Sequence, residues 1–361
     1  MIYFTVGPSQ LYPTVASHMR DSIGREIMSL HHRSEEFQNL YKETAQELRT
    51  LFEIPDSFHI FFTGSSLENM ERVIENTVEK KSMHIVTGAF GKKFFLIAKE
   101  LGKNPESISF EPGSKLALSQ IDLAEDVEIL ALTQNETSMG VVVPMGEIAK
   151  LKKKYPHLLV ALDIVSSGPY LPVDYSAVDI AFLSAQKLLG LPAGMGILIV
   201  NDRAIEKAKQ LQENGVSIGS VHNFMTLVKG EEKYLTNETP NVLGLYLLSK
   251  VLKDMNDFGL EKIRKQTKEK AEKIYTYFEN HPTFKPFITD KSLRSDTTIV
   301  IDVKGKSEEL LVFAKKKGFA IGEGYGEYAK EHIRIANFPA HTMGNVEHLL
   351  SVIDAFQNES Q

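Results

Sequence analysis

The sequence contains neither cysteine nor tryptophan among its 361 residues. Without cysteine the chain can form no disulfide bond, no thiolate metal site and no catalytic thiol, which fits a reducing compartment. A basic surplus is also missing, since 41 lysine and arginine residues stand against 47 aspartate and glutamate residues and give a formal net charge of −6. Nucleic acid is therefore not expected as a main partner.

Long apolar runs are absent as well. No stretch approaches the ~18 apolar residues that a membrane-spanning helix needs, and residues 1–8 lack the basic and apolar regions of a signal peptide. We therefore expect a cytoplasmic protein that does not bind a membrane. Apolar residues make up 42% of the chain and charged residues 24%, as in ordinary globular proteins, and at roughly 100–200 residues per domain the length predicts two domains.

Short apolar runs alternate with helix-like segments through the first two thirds of the chain. We predict strands over 59–63, 84–87, 127–133, 158–165, 178–184 and 196–200. We predict helices over 67–78, 92–101, 146–154 and from 203 onward. Consecutive apolar residues suit strands that are buried on both faces of a parallel sheet, so the pattern predicts a doubly wound α/β domain.

The pattern changes after Pro240. Two long helices are predicted over 241–255 and 260–281, followed by strands over 297–303, 319–322 and 332–336 and helices over 307–317 and 345–356. We therefore predict a large domain over residues 1–245 and a smaller C-terminal α+β domain over 246–361. The first ~15 residues are expected to pack on the smaller domain.

Polar residues follow the predicted strands at the sheet edge where ligands bind in open α/β folds. They include Ser65, Ser66, Thr137, Asp163 and Lys187, and the aromatic Phe90 also follows one of these strands. Taken singly, these residues also suit ordinary roles: a helix cap, a carboxylate bonded to loop amides, or a lysine at a strand end. Together they supply a phosphate turn, an aromatic face, a hydroxyl, a partner for a ring nitrogen and a Schiff-base lysine, which match the parts of pyridoxal phosphate (PLP).

Several blocks of the chain, in the same order, resemble the phosphoserine aminotransferases, a branch of the class V, fold type I PLP-dependent enzymes. The blocks are residues 4–8, 31–37, 48–55, 85–93, 135–137 and 184–187. The resemblance implies the fold type I transferase architecture, with a large PLP-binding domain and a smaller C-terminal domain. It also implies PLP as the cofactor and a homodimer with a shared active site.

The resemblance gives roles to individual residues. Lys187 would form the Schiff base with the cofactor, Asp163 would hold the pyridinium nitrogen, and Phe90 would stack on the ring where the family usually has tryptophan. The remaining contacts within one subunit, to the phosphate and the ring hydroxyl, would come from Ser65, Ser66, Gln186 and Thr137. Arg334 matches the arginine that binds the substrate α-carboxylate, a task for which its planar fork is suited.

Two places depart from the family pattern. The partner subunit's Asn-Thr-Pro segment, which reaches the cofactor phosphate, is matched here by Asn237 and Thr239 with an extra Glu238 between them. The first basic pair for the substrate phosphate is matched by His32 and Arg33. A second basic pair is replaced by Glu327 and Tyr328, and a carboxylate beside a phosphate is repulsive.

The expected activity is transamination between phosphoserine and 2-oxoglutarate in serine biosynthesis, with ping-pong kinetics. The alternative is a class V aminotransferase for a small unphosphorylated substrate, of the alanine– or serine–glyoxylate type, which the replaced basic pair favours. An NAD(P)-dependent oxidoreductase would need a Gly-x-Gly-x-x-Gly turn after its first strand, which the sequence lacks. A non-catalytic binding protein would have little use for Lys187. No metal site is expected, because adjacent His31 and His32 rarely converge on one ion.

Overall fold

The computed structural model, which describes residues 1–359, shows strands and helices alternating along the chain. The strands are β1 (Ile2–Phe4), β2 (Phe58–Thr63), β3 (Lys81–Val86), β4 (Asn104–Ser109), β5 (Ile129–Thr133), β6 (Asn135–Glu136), β7 (Val141–Val142), β8 (Leu159–Asp163), β9 (Ile180–Ser184), β10 (Gly196–Asn201), β11 (Lys285–Pro286), β12 (Thr298–Asp302), β13 (Phe319–Glu323) and β14 (His332–Ala336). The helices are α1 (Val15–Gly24), α2 (Glu35–Phe52), α3 (Ser66–Thr77), α4 (Ala89–Glu100), α5 (Met145–Lys154), α6 (Asp202–Glu213), α7 (Phe224–Glu231), α8 (Val242–Phe258), α9 (Leu260–Asn280), α10 (Ser307–Lys316) and α11 (Met343–Glu359).

The central sheet has seven strands in the order β2-β10-β9-β8-β5-β3-β4. Strand β10 runs antiparallel to both of its neighbours, and the other pairs are parallel. Every residue of β5, β8 and β9 is buried, as is usual for parallel strands covered on both faces. The prediction of an α/β fold with a mainly parallel sheet is therefore confirmed.

A second, smaller sheet is built mainly from the C-terminal part of the chain, in the order β1-β13-β14-β12-β11. Its edge strand β1 comes from the N-terminus and runs parallel to β13, with Ile2 opposite Phe319. Apolar side chains from this sheet and from α9, α10 and α11 form a core separate from the one around the central sheet. The N-terminal segment is thus held by the C-terminal part of the fold.

The division into residues 1–245 and 246–361 stays a prediction. The buried apolar side chains of α8 belong to the core around the central sheet, whereas those of α9 from Ala271 onward belong to the core of the second sheet. The change from one core to the other therefore falls within α9.

Some observed elements are not among those predicted from the sequence, and they include α1, α2, α7 and β4. Strand β4 lies at the edge of the central sheet and includes Pro105 and Glu106, so it lacks an apolar run. Within residues 1–359, no helix combines the length and the apolar character needed to cross a bilayer.

Candidate active site

Asp163 and Lys187 lie at the same end of neighbouring strands of the central sheet. Asp163 is the last residue of β8, and Lys187 follows β9 in the connection to β10. Both side chains are buried, at 4% and 7% exposure. Burial raises the pKa of Asp163 to about 7 and lowers the pKa of Lys187 to about 8. Both groups can therefore change protonation state near neutral pH.

The Lys187 side chain has three close neighbours, two at its amine and one along its aliphatic stem. Its Nζ donates a hydrogen bond to Thr137 Oγ1 at 3.0 Å and lies 5.1 Å from the centroid of the Phe90 ring. Gly7 packs against the aliphatic stem of the lysine. Gly7 has a φ of +129°, and a Cβ added there would stand 2.8 Å from Lys187 Cε. Only glycine suits that position, because it tolerates both the backbone conformation and the close approach.

A buried hydrogen-bond network orients the Thr137 hydroxyl. Thr137 Oγ1 donates to Ser166 Oγ at 2.7 Å, and Ser166 Oγ donates to the Asn135 carbonyl at 2.8 Å. Asn135 Nδ2 donates back to Ser166 Oγ at 2.8 Å. Because the Thr137 proton is committed to Ser166, the oxygen of Thr137 accepts from Lys187. Ser166 and Asn135 are not in the predicted site set.

Glu136 is a fully buried carboxylate that fixes the start of α4. It accepts hydrogen bonds from the backbone N–H groups of Phe90, Gly91 and Ser138, each at 3.1 Å, and from the Ser138 hydroxyl at 2.6 Å. Gly88 leaves room for it, since a Cβ there would lie 2.5 Å from Glu136 Cγ. A carboxylate is favoured at a helix N-terminus. Glu136 therefore sets the position of Phe90, a role that the sequence pattern does not indicate.

Arg334 extends from β14 of the smaller sheet to Thr137, the residue that follows β6. Its side chain is buried, with Nε donating to the Glu323 carbonyl at 2.7 Å and Nη1 to the Thr137 carbonyl at 3.4 Å. The guanidinium carbon lies 5.3 Å from the centroid of the Tyr325 ring, which in turn stands 5.7 Å from the Phe90 ring. The structure thus brings Arg334 next to Thr137 and Tyr325 and within electrostatic range of Lys187.

Ser65 and Ser66 form the start of α3, directly after β2. Ser65 Oγ caps the helix by accepting from the Glu68 N–H at 3.1 Å, and Glu68 Oε2 accepts from the Gly64 N–H at 2.8 Å. Gly196 of β10 closes in from the side, because a Cβ there would lie 2.7 Å from the Ser65 carbonyl. The turn presents helix N-terminal N–H groups, the arrangement that binds phosphate.

Comparison with known proteins identifies the family. The sequence model of the family Aminotransferase class-V matches residues 2–330. The chain belongs to the class V aminotransferases. It is 29% identical over 358 residues to a phosphoserine aminotransferase of Nocardioides sp., covering 97% of this chain and 94% of that protein.

Solved structures resemble this aminotransferase over nearly its full length. A phosphoserine aminotransferase from Cytophaga hutchinsonii is 41% identical, with a TM-score of 0.96 and 98% of both chains covered. A PLP-bound phosphoserine aminotransferase from Trichomonas vaginalis shares the fold at 21% identity, with a TM-score of 0.78, covering 98% of this chain and 99% of that chain.

Some of the predicted residues of the aminotransferase lie apart from this cluster within the described chain. Asn237 Nδ2 donates to the Val221 carbonyl at 2.6 Å, and Thr239 is exposed. His32 packs against His31, with ring centroids 5.2 Å apart, and Arg33 is exposed. None of these four side chains touches Lys187 or Asp163 in residues 1–359. Their roles stay predictions.

Two further predicted residues border the site. Gln186 precedes Lys187, and its backbone carbonyl accepts from the Ser9 N–H at 3.2 Å. Glu327 is exposed in a cleft of about 710 Å³ beside Phe90 and Tyr325, and Lys92 and Lys93 line the same cleft. The structure therefore places a carboxylate, together with two lysines, next to the Phe90 platform.

Proposed function

We propose that this aminotransferase uses PLP to transfer the amino group between phosphoserine and 2-oxoglutarate, a step of serine biosynthesis. The observation that carries the proposal is that Asp163, from the central sheet, and Arg334, from the smaller sheet, both interact electrostatically with Lys187, whose amine lies over the Phe90 ring. The names of the full-length relatives support the choice of substrate.

The residues present fit the cofactor. Val165 N–H donates to Asp163 Oδ1 at 2.8 Å, and among the described residues Oδ2 has no hydrogen-bond partner, so this oxygen can accept from a protonated ring nitrogen. The N–H groups at the start of α3 suit the phosphate, and the Phe90 ring offers a flat apolar face. When bound, PLP supplies an electron sink for the negative charge that develops at the substrate α-carbon.

Proton transfer and substrate binding are assigned to residues of the chain itself. Lys187 Nζ takes the proton from the substrate α-carbon and would deliver it to the cofactor carbon that receives the amino group, since a buried amine with a pKa of about 8 is partly unprotonated at neutral pH. Thr137 orients that amine through the 3.0 Å hydrogen bond. Arg334 binds the substrate carboxylate, because its two bonds to carbonyls fix the guanidinium plane while leaving Nη2 free among the described residues.

A second candidate is an aminotransferase for a small unphosphorylated amino acid, of the alanine– or serine–glyoxylate type. Glu327 favours it, because an exposed carboxylate in the cleft beside Phe90 would repel a substrate phosphate. Lys92 and Lys93 in the same cleft, with His32 and Arg33, favour the phosphorylated substrate. The two candidates differ in the side chain of the substrate and share the chemistry at its α-carbon.

A stopped-flow half-reaction separates the candidates. The PLP-loaded enzyme is mixed with phosphoserine, and separately with glutamate, alanine and serine, and loss of the bound-cofactor absorbance is followed. Fast conversion by phosphoserine and glutamate is expected. Conversion by alanine or serine with none by phosphoserine would overturn the substrate assignment and leave the second candidate. The Lys187→Ala variant is the control and should show no conversion with any amino acid.

The active site is proposed to be shared within a homodimer. Exposed apolar side chains on and near α1, namely Met19, Ile23 and Met28, support a contact surface. Met19 also borders an apolar cavity of about 210 Å³ between α8 and the 191–195 loop. A cytoplasmic location, and the expectation that neither nucleic acid nor a membrane is a partner, stay predictions.

A further inference from the structure

A chain of three charged residues leads away from the start of α3. Glu68 Oε1 is hydrogen-bonded to Nδ1 of His222, and Nε2 of His222 is bonded to Glu238 Oε2 at 2.7 Å. The other oxygen of Glu68 accepts from the Gly64 N–H at 2.8 Å. These contacts join the turn at Ser65 to the segment around Glu238. We call Glu68, His222 and Glu238 the charged triad.

His222 carries a positive charge in this arrangement. Both of its ring nitrogens face carboxylate oxygens, so both must donate, and only the imidazolium form can do so. Hydrogen bonds to Glu238 and Glu68 raise the pKa of His222 to about 9, and the side chain is only 14% exposed. The charge is therefore present at neutral pH.

The position of Glu68 poses an electrostatic problem for a phosphate ligand. Glu68 is the third residue of α3, and a carboxylate there can occupy helix N-terminal N–H groups and repel a phosphate dianion. In the structure, Glu68 instead takes the N–H of Gly64. Among the described residues, no acceptor faces the N–H groups of Ser66 and Leu67, so these donors stay open.

We propose that His222, held by Glu238, is a positioning residue for the phosphate of the cofactor. It neutralises Glu68 and holds its carboxylate on Gly64, so that the remaining N–H groups of the turn receive the phosphate. This proposal rests on PLP as the cofactor. In this proposal Glu238, the residue that interrupts the family's Asn-Thr-Pro pattern, holds the imidazole ring of His222 in place.

The experiment compares two cofactors that differ only in the phosphate. Cofactor-free enzyme is titrated with PLP and, separately, with pyridoxal, and dissociation constants are obtained from the absorbance of bound cofactor. In His222→Gln the dissociation constant for PLP should rise on the order of tenfold, because Glu68 loses its hydrogen-bonded cation and keeps only the electrostatic attraction of Arg72. The constant for pyridoxal should stay unchanged, since pyridoxal carries no phosphate for Glu68 to repel.

A matched control and a rescue variant sharpen the test. His59 also bridges two carboxylates, those of Glu231 and Asp202, but it lies at the start of β2, away from the turn. His59→Gln should leave both constants unchanged. Adding Glu68→Gln to His222→Gln removes the carboxylate beside the turn, while Glu238 keeps its charge farther away, and should restore PLP binding to within about twofold of the wild type.

The outcomes distinguish a phosphate-specific role of His222 from a general effect on the fold. Equal weakening of PLP and pyridoxal in His222→Gln, or no weakening of PLP, would overturn the proposal, as would failure of Glu68→Gln to rescue. If His222→Gln does not fold, His222→Asn is used, because it removes the same positive charge from Glu68, and the same selective loss of PLP affinity is expected. A wild-type enzyme that bound neither compound at Lys187 would instead overturn the proposed function, since the triad would then have no cofactor phosphate to position.

Discussion

The Asp163 carboxyl group should lower the free energy of unfolding by an amount that depends on pH. Burial raises the pKa of Asp163 from its usual 3.8 to about 7, so the folded state binds this proton more tightly than the unfolded state. Its destabilising effect in cofactor-free protein is absent below the unfolded pKa and grows until the pH passes the folded pKa. Asp163→Asn should therefore gain about 2 kcal/mol more unfolding free energy, relative to wild type, at pH 8 than at pH 5.5.

Urea unfolding of the cofactor-free proteins at the two pH values measures this difference. Asp56→Asn is the control, because it makes the same chemical change at an exposed position. An Asp163→Asn effect that is equal at both pH values would mean that the carboxyl is solvated in the absence of cofactor. The buried site would then not be preorganised for a cationic ring nitrogen.

The residues that could be predicted are those whose chemistry is visible at the end of a strand. Asp163 and Lys187 can be recognised because each follows an apolar run, where burying a charged group is unfavourable unless it has a partner. Glu136 and Ser166 also follow predicted strands, but the sequence gives them no role, since their partners are backbone N–H groups and a hydroxyl that only the folded chain brings together. The sequence gives Gly7 no role either, because only the fold brings it against the distant Lys187.

At the level of elements, the N-terminus of α4 depends on a glycine. Gly88 has an extended backbone, so its requirement is for space: an added Cβ would meet Glu136 Cγ at 2.5 Å and Ser138 Oγ at 2.6 Å. Gly88→Ala should displace the buried carboxylate or the first turn of α4, and with it the Phe90 ring. We expect a loss of about 1–3 kcal/mol in unfolding free energy, together with weaker PLP binding.

Gly146→Ala is the control variant for Gly88→Ala. Gly146 also lies at the start of a helix, α5, but nothing stands within 4 Å of an added Cβ. Thermal unfolding and PLP titration of the two variants show whether the contact with Glu136 makes glycine necessary at position 88. Gly146→Ala should match or slightly exceed the wild type in stability. If Gly88→Ala behaved in the same way, Glu136 would not be the group that fixes the helix start.

The elements themselves were predictable to different degrees for physical reasons. Buried parallel strands give unbroken apolar runs, so β5, β8 and β9 are found close to their observed limits. The reversed direction of β10 leaves no trace in its residues, because a buried strand is apolar in either direction. Helix α2 does carry a signal, a Ser34 cap and buried apolar residues at helical spacing, which differs from the unbroken apolar runs that mark the strands.

At the scale of the whole molecule, the segment 237–239 combines a residue bonded within its own chain with exposed residues on either side. Glu238 binds His222 of its own chain, whereas Asn237 and Thr239 on either side are exposed. That arrangement fits a segment that is anchored in its own subunit, through Glu238 and through the hydrogen bond from Asn237 Nδ2 to the Val221 carbonyl, and that is open to another subunit at its exposed positions. It gives the proposed shared site a structural basis, because the cofactor phosphate of one subunit would then be contacted by Asn237 and Thr239 of the other subunit.

Subunit mixing tests the shared site. Lys187→Ala should be inactive, and Asn237→Ala/Thr239→Ala should lose activity at limiting PLP because its phosphate contacts are gone. If the site is shared, a mixed dimer of the two variants contains one complete site, formed by Lys187 of one chain and by Asn237 and Thr239 of the other. Unfolding and refolding the variants together in equal amounts should therefore restore about a quarter of wild-type activity, since half of the dimers are mixed and each has one working site. Refolding each variant alone is the control and should restore none. A mixture no more active than its separately refolded components would place Asn237 and Thr239 in the site of their own chain, and the active site would then belong to a single subunit.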